Sequence, residues 1–235
     1  MAIGNITPDS FYLTSRLLNA NHIAQWAFDS LQNGASILDI GGCSTRPGST
    51  AISTVTEWER VSYALTTLRE AVPEAQLSLD TFRPEIAKMA LEQFGSMIIN
   101  DISGGEEAMW EVVRYWQVPY VWTLRGKLDL PALRPMDDID LILDPGIGFT
   151  GGIEHDYDCL RHMDTLRQYN RPILAGVSRK SMLYKPLGIT AEESLVATQV
   201  AQFYALEQGA TILRTHDVKH TMHTIALFES LITID

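Results

Sequence analysis

Short apolar runs rich in Ile, Val and Leu recur along this chain, and the longer segments between them carry apolar residues at helical period. That alternation is the pattern of βαβ units, in which a helix crosses over to the next parallel strand. The strand-like runs are AIGNI (2–6), SILDIG (36–41), QLSLDT (76–81), SMIIND (96–101), PYVWTL (119–124), LILD (141–144), PILAGV (172–177) and TILRT (211–215). Helical segments include HIAQWAFDSLQNG (22–34), TEWERVSYALTTLREA (56–71) and RPEIAKMALEQFG (83–95); the first and third close on Gly, where a left-handed C-cap is wanted. Eight strands with intervening helices predict an α/β fold, a (β/α)8 TIM barrel. Periodicity does not show that a sheet closes, so an open doubly wound sheet is the alternative.

One connection breaks the rhythm. After PYVWTLRG only KLDLPALRPMDDID precedes the next strand, and its two prolines and clustered aspartates leave little room for a full crossover helix. A shortened connection between strands 5 and 6 is therefore expected. Repeats, low-complexity tracts and interdomain linkers are not apparent, so residues 1–235 read as one domain.

Composition narrows the class. With 46% hydrophobic and 20% charged residues the chain reads as an ordinary soluble globular protein. No apolar run approaches the roughly 18 residues of a membrane span, and no secretory signal pattern opens the chain, so a cytoplasmic protein without a membrane partner is expected. The net charge of −11 argues against a nucleic-acid partner, which would need a basic footprint, but leaves room for a small anion in a cleft. Cys43 and Cys159 lack metal-ligand spacing and read as reduced thiols.

In barrels the active site lies at the C-terminal ends of the strands. Polar residues stand at nearly every such end: Asn5, the loop GGCSTRPG, Asp80, Asn100 with Asp101, Asp144, SRKS (178–181) and RTHD (214–217). Arg46, Lys180, Arg214 and His216 place four potential cations on one rim, suited to an anion. Asp80, Asn100 and Asp144 supply acceptors and an amide suited to the donor-rich edge of a flat heterocycle. Asp144, followed by a glycine-rich turn, would accept a pair of N–H bonds while backbone approaches the ligand closely. Ordinary structural roles account for others. Asp101 and Asp217 read as helix N-caps, and Arg179 as an outward salt bridge. His22, His155, His162, His220 and His223 read as surface or core-edge residues rather than metal ligands.

The strings GNITPDSF, DIGGCSTRPGS, LDTFRPEIA, IINDISGG, LDPGIGF, GVSRKSM and ILRTHDV, in this order and spacing, resemble the dihydropteroate synthases over nearly all of the chain. The resemblance implies a (β/α)8 barrel and a transferase of folate biosynthesis. Such an enzyme joins 4-aminobenzoate to 6-hydroxymethyl-7,8-dihydropterin diphosphate and releases pyrophosphate. By the same resemblance, Asp80, Asn100, Asp144 and Lys180 form the pterin pocket, and Asn5, Arg214 and His216 the anion site. Asn5 would also help to hold Mg²⁺ on the diphosphate. Phe11, Thr45, Arg46 and Pro47 would build the aminobenzoate pocket, with Phe149, Lys180 and Ser181 as its wall. A homodimer through outer helices, in which the run TIALFESLI could serve, is implied as well.

Departures from the family pattern keep other readings open. YLTS follows DSF and puts Leu13 at a commonly acidic place, Cys43 stands for a usual Glu, FTGG (149–152) removes a lysine, and WTLRG replaces a Met-His-Met run. The segment that usually precedes strand one is also not seen. A pterin-binding subunit without turnover, or a partner subunit beside a second synthase chain, is one alternative; a pterin-dependent methyltransferase is another, against which STRPG and SRKS argue.

Overall fold

The computed structural model describes residues 1–6, 19–43, 52–125, 128, 138–149 and 151–232. Six parallel strands form one sheet in chain order: β1 (Ala2–Asn5), β2 (Ile37–Gly41), β3 (Gln76–Asp80), β4 (Ile98–Asp101), β5 (Tyr120–Thr123) and β6 (Leu141–Asp144). Two shorter strands, β7 (Leu174–Ala175) and β8 (Ile212–Leu213), pair with each other. Parallel bridges Leu143↔Ile173 and Ala2↔Thr215 join the two pieces at both edges. The ring therefore closes, as a (β/α)8 TIM barrel, and the open-sheet alternative is excluded.

Helices cover the outside: α1 (Ala20–Gln32), α2 (Thr54–Ala71), α3 (Pro84–Phe94), α4 (Glu107–Trp116), α5 (Ile153–Arg161), α6 (Ser181–Tyr184), α7 (Leu195–Glu207) and α8 (Val218–Ile232). Local sequence sets their ends. Asn19 and Ser53 cap α1 and α2 by accepting from His22 N and Thr56 N. Pro84 opens α3, where its missing N–H costs nothing, and Gly95 at φ 79 closes it. At α1 the C-cap is Asn33, and the expected glycine, Gly34, follows one residue later. Between β5 and β6 no helix occurs among the described residues, and Leu128 packs on the core there.

The strand period of two divides the interior from the shell. Leu38, Ile40, Leu77, Leu79 and Ile99 are fully buried in the shell under the helices, each worth roughly 1.5–3 kcal/mol of transfer free energy. Ile98, Val121, Ile142 and Leu174 form a separate cluster that fills the barrel interior, with Met1, Ile37 and Ile212 packed against it. Above this apolar plug, toward the C-terminal ends, the inward positions turn polar: Asp39, Ser78, Asp80, Asn100, Thr123 and Asp144 are all buried. The plug thus forms the floor of a polar mouth.

Candidate active site

Parallel register sets Asp80 beside Asn100 at the ends of β3 and β4, and Asn5 beside Gly41 beside Asp80 across β1 to β3. Arg214, just past β8, reaches across this row. Its Nη2 donates to Asp80 Oδ2 at 2.6 Å, and its Nε donates to Asp39 Oδ2 at 2.7 Å. Asn100 Nδ2 donates to the same Asp39 oxygen at 3.2 Å. The guanidinium thus lies between two carboxylates inside the mouth, not on the outer lip that the strand-end pattern suggested. Burial opposes its charge, but Asp39 and Asp80 more than offset this and hold it above its ordinary range.

Asp39 is one residue that sequence reasoning missed. It is fully buried, and its Oδ1 has no partner among the described residues. Asp80 Oδ1 is likewise unpartnered, and burial, offset in part by Arg214 and reinforced by Asp39, raises the Asp80 carboxyl to about 7.

Asp144 ends β6. Its Oδ1 accepts from Gly146 N at 2.7 Å, so one oxygen holds the glycine turn that follows. Burial raises its pKa, while Lys180 and the Gly146 N–H act in the opposite direction. Lys180 comes from the loop after β7, donates to Ile147 O, and holds its ammonium 4.5 Å from the centre of the Phe149 ring. Burial lowers its pKa to about 8 against the pull of Asp144. The glycines of DPGIGF make this packing possible. A Cβ on Gly148, at φ +84, would stand 2.7 Å from Lys180 Cδ. Room for the lysine stem is therefore a visible reason for that glycine.

His216 sits beyond Arg214, with Nδ1 3.0 Å from Ser178 Oγ. Ser181 is the first residue of α6, directly after Lys180. Phe11, Thr45, Arg46 and Pro47 lie outside the described residues, as does Leu13. The mouth therefore brings together Asp80, Asn100, Asp144, Lys180, Phe149 and Arg214, with Asn5 ending β1, His216 following β8 and Ser181 opening α6.

Three structural readings are corrected. Asp101 caps no helix: it accepts from Ser103 N at 2.7 Å and from Tyr120 OH at 2.6 Å, and α4 begins only at Glu107. Asp217 directs both oxygens to the Arg179 Nε and Nη2, each at 2.8 Å. That pair is no surface bridge, because the two side chains are 6% and 10% exposed. Arg179, at φ 53, also donates to the Ala191 and Glu192 carbonyls, tying the loop after β7 to the turn that precedes α7. A second missed acid, Glu57 of α2, is fully buried, accepts from Thr81 Oγ1 at 2.7 Å and pairs with Arg83. Arg83 in turn donates to Ile52 O at 2.7 Å. The five histidines outside the strand ends behave as expected in exposure: His22, His162, His220 and His223 are exposed and His155 half-buried.

A mouth with hydrogen-bond acceptors on one side and a lysine and arginine among them can hold a flat, nitrogen-rich ring bearing an anionic substituent. Comparisons with known proteins agree. Residues 1–129 and 133–216 match the pterin binding enzyme family. The dihydropteroate synthase of Streptococcus pyogenes is 31% identical, over 98% of this chain and 94% of that protein. A structure of the Clostridium difficile synthase in the presence of pteroic acid superposes with a TM-score of 0.85 at 27% identity, over 100% of this chain and 96% of that one. A Xanthomonas albilineans synthase with 4-aminobenzoic acid gives 0.84 at 28% identity, over 100% of this chain and 93% of that one. With its closed barrel, its polar mouth and these matches along its length, the chain belongs to the pterin-binding enzymes and, among them, to the dihydropteroate synthases of folate biosynthesis.

Proposed function

We propose that this chain joins 4-aminobenzoate to 6-hydroxymethyl-7,8-dihydropterin diphosphate, giving 7,8-dihydropteroate and pyrophosphate, with the buried mouth as its pterin site. The observation that carries the reading is the Asp39–Arg214–Asp80–Asn100 row facing Asp144 and Lys180 in one hollow. Asp80 and Asp144 accept from the ring N–H groups, Asn100 and Lys180 donate to its acceptors, and Phe149 borders the lysine. In the reaction the bond between the pterin methylene and the diphosphate oxygen breaks. The aminobenzoate nitrogen forms the new C–N bond and loses a proton, and the electron pair leaves with pyrophosphate. Positive charge growing on the ring side is steadied by Asp80 in a site of low dielectric, and negative charge on the leaving group by Arg214 and His216.

Asn5 offers one oxygen donor at the end of β1. That is the scale of protein ligation Mg²⁺ takes when substrate phosphates and water complete its shell. Bound there, Mg²⁺ would neutralise charge on the diphosphate. Phe11, Thr45, Arg46, Pro47 and Ser181 belong to the proposed aminobenzoate side. A homodimer is supported by the apolar exposed face of α7 and α8, where Val196, Val200, Leu227 and Leu231 are 55% exposed or more. A cytoplasmic setting fits the reaction, and no described helix is long and apolar enough to cross a membrane.

Protein incubated with Mg²⁺ and both substrates should release pyrophosphate only when both are present. Pterin binding without release would instead make the chain a binding subunit.

A further inference from the structure

We propose that the Thr123 hydroxyl is a substrate contact, a hydrogen-bonding group to the pterin ring that helps to set affinity for that ring; this rests on the pterin-site reading above. Thr123 is the last residue of β5, and its neighbours fix its direction. Tyr120 and Trp122 pack outward on Trp110, with ring centroids 4.6 and 5.3 Å apart, whereas Val121 lies in the interior cluster. Alternation therefore turns Thr123 inward, and its register partner on β6 is Asp144.

The side chain is held by its methyl. A Cβ on Gly146 would come within 3.2 Å of Thr123 Cγ2, so the methyl sits under the turn that follows β6. The hydroxyl is the other branch. Thr123 is 0% exposed, and its Oγ1 has no partner among the described residues. A buried hydroxyl without a partner destabilises a fold, so such a group in a site calls for a ligand or water that completes it. Asp80 Oδ1, at the end of β3, is unpartnered in the same way, and both atoms belong to inward residues at strand ends. A hydroxyl both donates and accepts, which complements Asp144 and Asp80 where the ring edge presents an acceptor beside its donors.

Thr123→Val keeps the branched shape and the methyl under Gly146 and removes only the hydroxyl. In calorimetric titration with 6-hydroxymethylpterin, this variant should bind about tenfold more weakly than wild type. Its melting temperature without ligand should not fall. In turnover, the KM for the pterin diphosphate should rise while that for 4-aminobenzoate stays unchanged. Thr123→Ser, which retains the hydroxyl, should bind close to wild type.

Equal pterin affinity in Thr123→Val would overturn the proposal. So would a loss of ligand-free stability or a failure to fold, either of which would make the hydroxyl a structural group. Wild-type protein that takes up no pterin would instead remove the pterin reading itself, a result distinct from a bound wild type and an indifferent valine variant.

Discussion

Replacing Asp39 with alanine should damage both the fold and the reaction, because this fully buried carboxylate holds two residues of the mouth at once. Its Oδ2 accepts from Arg214 Nε at 2.7 Å and from Asn100 Nδ2 at 3.2 Å, and lies 2.6 Å from Arg214 Nη2. Removing one member of a buried ion pair typically costs about 3–5 kcal/mol. Arg214 keeps Asp80 as a partner at 2.6 Å, so the lower end of that range, about 3 kcal/mol, is expected. Urea unfolding of wild type and Asp39→Ala without ligand reads this directly. With Arg214 held from one side only, its guanidinium shifts relative to the ring site, and misplacement on the scale of 1 Å is worth about 10²-fold in kcat/KM. Asp39→Asn, which keeps one acceptor oxygen, should fall between the two. Stability within about 0.5 kcal/mol of wild type, the ordinary spread for surface substitutions, together with unchanged kcat/KM would refute the claim that Asp39 organises the mouth.

Other consequences follow from the same contacts. Gly148→Ala forces a Cβ into the left-handed region and to 2.7 Å from Lys180 Cδ, so pterin affinity should drop along with melting temperature; a variant with normal affinity would contradict the packing reason given for this glycine. Binding should also depend on pH. Asp80 titrates near 7 and gains its proton as pH falls, losing an acceptor, while Lys180 titrates near 8 and loses its charge as pH rises. Pterin affinity in the ligand-free protein's range should therefore peak between these values, and a flat profile from pH 6 to 9 would count against both assignments. Arg179→Ala breaks a buried fork to Asp217 and should cost about 3–5 kcal/mol in urea unfolding; a loss below about 1 kcal/mol would show that the fork does not anchor the loop after β7.

The barrel was legible because parallel strands buried on both faces read as continuous apolar runs, and all eight runs contain a strand or the bridge that closes the ring. Strand-end residues were legible for the same reason, since the fold directs them to one side. What escaped was charge inside elements. Asp39 stands within SILDIG, where an acid among apolar residues is itself the signal of a buried partner, and it lies two residues before inward Gly41. Glu57 stands in the first turn of α2, where an acid is ordinary, yet it shares a stripe with Val61, Ala64, Leu65 and Leu68, all buried. Its partner Arg83 is distant in sequence, so no local pattern reveals the pair. Asp101 and Asp217 were misread because a polar residue ahead of a helix suggests a cap. Here Ser103, two residues on from Asp101, and a tyrosine and an arginine brought near by the fold compete for those oxygens.

The most direct test of the central claim is a diffraction experiment on crystals soaked with 6-hydroxymethylpterin. The ring edge should lie within hydrogen-bonding distance of Asp80, Asn100 and Asp144, with Lys180 beside it. Density for the ring anywhere outside the barrel mouth, or in the mouth but away from these side chains, would contradict it.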